Sequence, residues 1–306
     1  MRPDAFAAVM ATGIVSIAAE DHGYHVISDV LDGLAVAGLA VLVVVAAVGW
    51  RRDPLDFADP DVPIRLFTFV AACAVLGARL ADHRPVLWVL GATALAAWLL
   101  LAPLVAHRMW SHRWTGLRDR AHGAWELASV ATSGLAIVAA DLALLGVAVG
   151  FWVLAIAVYL VMTGLILWRA AHDPTAPEGF EPDNWILMGG VAIATLAGDH
   201  IHHAGVDEVR DVTIGTWILA TLWIPPLIYL GLRRINRRAG ALSFDGVWWA
   251  AVFPLGMYSA ATYAMAVETG WQPLTTISLV FFWIAFTAWT IVAIAGLLRF
   301  RRATVR

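Results

Sequence analysis

Ten runs of mostly apolar residues follow one another along this chain, near 4–20, 29–50, 63–82, 85–107, 122–141, 143–169, 183–203, 211–233, 244–268 and 273–299. A helix rises about 1.5 Å per residue and the hydrocarbon core of a bilayer is about 30 Å thick, so about 20 such residues make one crossing. The connections are short, which leaves no room for an inserted soluble domain, and residues 1–306 read as one transmembrane domain. Composition points the same way. With 61% hydrophobic and 14% charged residues, the chain lies far from the roughly 45–50% and about 25% of a soluble domain. The first run, FAAVMATGIVSIA, has neither a convincing basic leader nor a small-residue cleavage site, and is read as the first helix. The expected fold is an all-α polytopic membrane protein with ten transmembrane helices. The net charge of −3 implies no nucleic-acid partner. The single cysteine, Cys73, permits no intramolecular disulfide and reads as a small buried hydrophobe.

All 20 basic residues other than histidine are arginines, and they sort by connection. With the N-terminus in the cytoplasm, one side receives Arg2, Arg51, Arg52, Arg65, Arg108, Arg113, Arg118, Arg120, Arg169, Arg233, Arg234, Arg237, Arg238, Arg299, Arg301, Arg302 and Arg306. The other receives Arg79, Arg84 and Arg210. Cytoplasmic connections retain positive charge, so an even number of helices with both termini cytoplasmic is expected, in the cell membrane.

The odd-numbered helices begin at regular intervals. Phe6, Leu66, Trp125, Trp185 and Trp248 lie 60, 59, 60 and 63 residues apart. That spacing predicts five helical hairpins in series, all starting on the same side, arranged quasi-fivefold about a central passage; ten evenly spaced helices with short loops would also show some of it. The odd helices carry the backbone interruptions, Gly13, Gly134, Gly189, Gly190, Pro254 and Gly256, and a broken backbone at membrane depth is tolerated where it is buried or lines a cavity. They also carry Thr12, Ser16, Ser129, Ser133, Thr195 and Thr262. These twelve residues are the expected lining and kinks of the passage, although small hydroxyl residues also serve helix packing by bonding their own preceding turn. The even helices are almost unbroken hydrocarbon and read as an outer wall, with Gly146 and Gly150 as a candidate close-packing pair. No arginine lies within the odd-helix interiors, so the passage is expected to bind anions weakly, as conduction requires.

Three stretches, PDAFAAVMATGIVSIA, FEPDNWILMGGVAIATLAG and WWAAVFPLGMYSAATYA, resemble the signature segments of the tellurite-resistance/dicarboxylate transporter family. The resemblance spans the whole chain. It implies five hairpins around an anion pore, a homotrimer with one pore per protomer, and a phenylalanine on the ninth helix that plugs the pore, here Phe253 in AVFPLG. Phe253 lies nine residues from the predicted start of its span at 244, about 14 Å at helical rise and close to mid-membrane. Pro254 cannot donate an N–H and leaves the Ala250 carbonyl without its helical partner, a kink that would aim the Phe253 ring inward. The fifth helix departs from the family pattern, reading AWELASVATSGLAIVAA where many relatives carry proline. Glu126 there is either an interfacial residue beside Arg118, Arg120 or Arg65, or a charge projecting into the inner vestibule.

The expected function is an anion channel or permease for small monovalent anions, chloride or nitrate, selected by the cost of dehydration in a narrow apolar passage. Its partners would be small inorganic or carboxylate anions and membrane lipids. A proton-coupled C4-dicarboxylate or tellurite carrier on the same scaffold is the alternative. A third class is a membrane metal enzyme or sensor built on His200, His202 and His203 beside Asp199. Topology opposes it: His22, His25 and His83 map with that cluster, whereas His107, His112, His122 and His172 map to the other side of the bilayer. The cluster reads instead as the polar end of the seventh helix. No phosphate-binding loop, dinucleotide fingerprint or nucleophile elbow is present, so neither an enzyme, a cofactor nor a resident metal is expected.

Overall fold

The computed structural model of the chain describes residues 3–50, 56–57, 59, 61–111, 114–172, 181–237 and 248–304. Among these, every regular element is helical: α1 (Ala7–Asp21), α2 (His25–Trp50), α3 (Asp61–Arg79), α4 (Arg84–Trp110), α5 (Trp114–Arg120), α6 (Leu127–Asp141), α7 (Leu145–His172), α8 (Ile186–His203), α9 (Arg210–Arg237), α10 (Trp249–Thr269) and α11 (Gln272–Thr304). Short 3-10 segments, Gly123–Glu126 and Pro182–Trp185, lead into α6 and α8.

The helices sort into two layers by what surrounds them. In the apolar windows of α3, of α6 with its lead-in, and of α10, 67%, 100% and 78% of the residues are buried, whereas in α2, α4, α7, α9 and α11 the share is only 11–28%. A helix that is apolar all round must face either protein or lipid, and the sequence uses both solutions. The second group exposes Val44, Leu100, Leu160, Leu222 and Ile291. The first group, with α1 and α8, forms the core. There α1 packs on α3 and α10, α3 on α6, α6 on α8, and α8 on α10. Each inner helix also packs on the long helix that follows it: α1 on α2, α3 on α4, α6 on α7, α8 on α9 and α10 on α11.

Small residues set the spacing between inner helices. A Cβ at Gly13 would lie 2.9 Å from Val75, one at Gly134 2.7 Å from Ala74, one at Gly189 2.9 Å from Pro254, and one at Gly256 3.0 Å from Ile14. Lipid tails are as apolar as the helices, so close packing replaces the hydrophobic effect as the adhesive. Hydroxyls fasten the inner layer to the outer. Ser16 and Ser28 each donate to the other's backbone carbonyl at 2.8 Å, and Ser259 and Ser278 do the same at 2.8 and 2.7 Å. The first and last inner–outer pairs therefore share one clasp. Indole N–H groups of outer helices donate to inner threonines, Trp289 to Thr12, Trp98 to Thr132 and Trp217 to Thr262.

Several expectations change. Of the ten predicted spans, eight correspond among the described residues to helices long and apolar enough to cross a membrane. The exceptions are α1, with 15 residues, and α8, with 18 and a last turn rich in histidine. The connection after α4 contains the short helix α5, which its seven residues, WTGLRDR, did not announce. Gly146 and Gly150 face open space, so they do not mark close packing within the chain. Arg2, Arg51, Arg52, Arg113, Arg238, Arg306, His112 and the predicted span segment 244–247 lie outside the described residues.

Candidate functional site

The five inner helices run in the same direction, and each of their two ends surrounds a cavity. N-terminal residues, among them Ala7 and Met10 of α1, Arg65 and Thr68 of α3, Leu127 of α6, Ile186 of α8 and Ala250 of α10, line a small one of about 20 Å3. C-terminal residues of the same helices line one of about 560 Å3: Glu20 and Asp21, Arg79, Asp141, Asp199 and His200, and Tyr263. Between the cavities Ile14, Ala71, Ala131, Ile193 and Phe253 are completely buried. A buried, mainly apolar stretch, interrupted on α6 by Ser129 and Ser133, thus lies between the two cavities.

The charges at and beside the small vestibule are paired. Arg65 reaches Asp4 at 3.4 Å. The His122 ring lies between Asp183, at 2.9 Å from Nδ1, and Asp61, at 3.5 Å from Nε2, and the Trp125 indole donates to Asp61 at 3.0 Å. These contacts tie the start of α3 to the 3-10 segments before α6 and α8. Gly123 presses on the Asp183 backbone so closely that no Cβ fits there.

The large vestibule is acidic and only partly neutralised. Arg79 donates to Ser16 at 3.2 Å and Ser28 at 3.0 Å, and lies 3.5 Å from both Glu20 and Asp29. His200 bonds Asp141 at 2.7 Å, joining α8 to α6. The HIHH cluster is divided by helical geometry. His202 faces Glu268 at 3.4 Å, and His203 lies 3.5 Å from Asp199 one turn earlier.

Phe253 is fully buried, on the turn below Ala250 and therefore beneath the floor of the small vestibule. Since α10 begins at Trp249, Phe253 stands four residues, about 6 Å, into the described helix. The predicted start of its span at 244 lies outside the described residues. Its neighbour Pro254 lies inside the helix and packs on Gly189.

Four of the six hydroxyls expected to line a passage are bonded elsewhere. Thr12 bonds Ala8 and the α11 indole, Ser16 bonds α2, Thr195 bonds Val191 and Thr216 of α9, and Thr262 accepts from α9. The hydrocarbon core of a bilayer offers no water, so a hydroxyl there takes the partner that a seam offers. Ser129 and Ser133 are fully buried, with no hydrogen-bond partner among the described groups. Gly13, Gly134, Gly189 and Gly256 fill contacts between inner helices, and Gly190 lies against Tyr159 of α7. Glu126 meets neither expectation. It is fully buried, away from Arg65, Arg118 and Arg120; its Oε1 accepts from Thr163 of α7 at 2.6 Å, and its Oε2 lies beside Gly190 of α8. Sequence reasoning also missed the convergence of acidic groups at the large vestibule. Its signal was a repeat: Asp21, Arg79, Asp141 and Asp199, all at inner-helix ends, are 58, 62 and 58 residues apart.

Comparison with known proteins gives this architecture a place. An uncharacterized transporter of Methanocaldococcus jannaschii is 23% identical over 327 aligned positions, covering 95% of this chain and 91% of its own. An uncharacterized membrane protein of Mycobacterium tuberculosis is 29% identical over 147, covering 45% of this chain and 75% of its own. Residues 1–297 match the family described as SLAC1, voltage-dependent anion channel. This multi-pass, all-helical membrane protein therefore belongs to the SLAC1 family of anion channels and transporters, the tellurite-resistance/dicarboxylate transporter family, which is not a family of enzymes.

Proposed function

We propose that the chain is an anion channel that passes small monovalent anions such as chloride and nitrate along the axis between α1, α3, α6, α8 and α10, with Phe253 as the gate. One observation carries this reading: the same five parallel helices hold a cavity with charged groups at each end and a fully buried, mainly apolar stretch, including Phe253, between them. An anion crossing that layer must shed water, so ions of low hydration cost pass most readily. In this reading the chain crosses the cell membrane ten times as five hairpins in quasi-fivefold order, with both termini in the cytoplasm. The small vestibule is then cytoplasmic. The protein assembles as a homotrimer with one pore per protomer. Voltage-driven chloride or nitrate flux into liposomes tests the reading, and its absence from both the native chain and Phe253→Ala overturns it.

A second reading, a proton-coupled C4-dicarboxylate or tellurite carrier, draws on Glu126. A buried carboxyl with one oxygen lacking a hydrogen-bond partner is a natural proton carrier. Proton-dependent malate uptake that Glu126→Gln abolishes would favour it over the channel.

A further inference from the structure

We infer that Asp199, His203 and Glu268 form a binding site for a divalent transition-metal ion of the Zn2+ class in the wall of the large vestibule. One ligand atom from each of the three residues lies within 4.8 Å of the others. The residues come from the C-terminal turns of α8 and α10, where the negative ends of two helix dipoles favour a cation. Asp199 is only 9% exposed, it lines the vestibule, and its Oδ1 makes no hydrogen bond among the described groups; the nearest cationic group is the His203 ring, whose Nδ1 stands 3.5 Å away and bonds the Asp199 backbone carbonyl at 3.0 Å. A buried carboxylate oxygen in that condition is costly, and a cation relieves the cost.

The surroundings serve the site in two ways. Arg210 Nε donates to Glu268 Oε1, and His202 Nε2 lies 3.4 Å from Oε2, so the Glu268 carboxylate is oriented from behind as outer-shell partners orient metal ligands. The further carboxylates of the vestibule, Glu20, Asp21 and Asp141, lower the potential there and concentrate divalent cations. Two oxygens and one imidazole nitrogen suit Zn2+, which accepts mixed nitrogen and oxygen donors in a four-coordinate shell and leaves a fourth position open to water. They do not suit Ca2+ or Mg2+, which take oxygen ligands. The wide cavity supplies the room for that water.

The site does not depend on the conduction reading, because binding is measured on the purified full chain in detergent. Calorimetric titration with ZnCl2 should give one saturable site per chain, while CaCl2 gives none. Asp199→Asn, His203→Ala and Glu268→Gln should each weaken Zn2+ binding by about tenfold or more, and each should abolish the rise in melting temperature that Zn2+ confers on the native chain. His25→Ala, at an exposed histidine 2.9 Å from Glu20, should bind as the native chain does. Should Asp199→Asn fail to fold, His203→Ala carries the test, because that side chain is 54% exposed and its removal leaves the packing intact. Absence of saturable Zn2+ binding, unchanged affinity in the three variants, or an equal loss in His25→Ala would overturn the proposal.

Discussion

The two vestibules are made by the opposite ends of the same five helices, yet they differ in size, field and degree of neutralisation. The small one encloses about 20 Å3 at the helix N-termini, and its carboxylates Asp4 and Asp183 are answered by Arg65, which lines it too, and by His122 beside it. The large one encloses about 560 Å3 at the C-termini, where Glu20, Asp21, Asp141 and Asp199 face Arg79 and two histidines. Backbone dipoles add to this contrast, since five N-terminal ends are partly positive and five C-terminal ends partly negative. The narrow N-terminal end is therefore the more favourable of the two for negative charge, and the wide C-terminal end the less. A parallel bundle imposes such polarity through its backbone, before any side chain is chosen, and the charged residues then deepen it.

The most direct way to break this contrast is to remove the barrier that keeps the two ends apart. Phe253→Ala is expected to raise chloride flux through liposomes by about tenfold or more, equivalent to a barrier lower by about 1.4 kcal/mol. Unchanged flux at equal protein content would remove Phe253 from the barrier. Next in size is Gly189→Val. Even a Cβ there would meet the Pro254 ring at 2.9 Å, and a proline ring cannot swing aside. Overpacking of this kind costs about 1–3 kcal/mol, and a lower melting temperature in detergent checks it.

A finer comparison exchanges the two arginines that α3 presents, one to each vestibule. Arg65→Ala should reduce anion flux several-fold, because it leaves Asp4 without that cation at the narrow end. Arg79→Ala should reduce it less, with a loss that fades at high ionic strength, because the charge it unmasks faces a wide, solvated cavity. Equal effects at every salt concentration would contradict the asymmetry. The smallest expected effect concerns His22, beside the large vestibule, whose ring meets Tyr263 and bonds Ser278 at 2.9 Å. Burial pushes its imidazole below the usual 6.5, against an opposing contribution from Ser278. The neutral ring is the form that the fold favours. Its contribution to stability is therefore present above 6.5 and is lost as pH falls through the lowered value. Melting temperature measured from about pH 7.5 to about pH 5 should fall in the native chain and fall less in His22→Gln.

Much of the architecture is legible in the sequence because hydrocarbon is an undemanding solvent to read. Unbroken apolar runs mark the outer helices, while Gly13, Gly134, Gly189, Gly256 and Pro254 mark the inner ones. What the pattern does not convey is direction around each helix. Thr12, Ser16, Thr195 and Thr262 bond outer helices or their own turn, and only the identity of the neighbouring helix decides that. Glu126 is similar: its carboxyl turns toward Thr163, 37 residues away on another helix, and away from the nearby arginines. The acidic vestibule was hidden because Asp21, Asp141, Asp199 and Glu268 are far apart along the chain and each resembles an ordinary polar helix end.

The clasps and the glycine contacts also imply an order of assembly. Ser16–Ser28 and Ser259–Ser278 each form within two consecutive helices, so each such pair can seal itself as soon as it leaves the ribosome and enters the membrane. The contact of Gly256 with Ile14 and Val15 is of another kind, because it joins the end of the chain to its beginning. Until α10 arrives, α1 and α8 each lack one of their packing neighbours. A chain that stops before α10 would therefore keep its packed inner–outer helix pairs and leave the α1–α10 and α8–α10 contacts unmade.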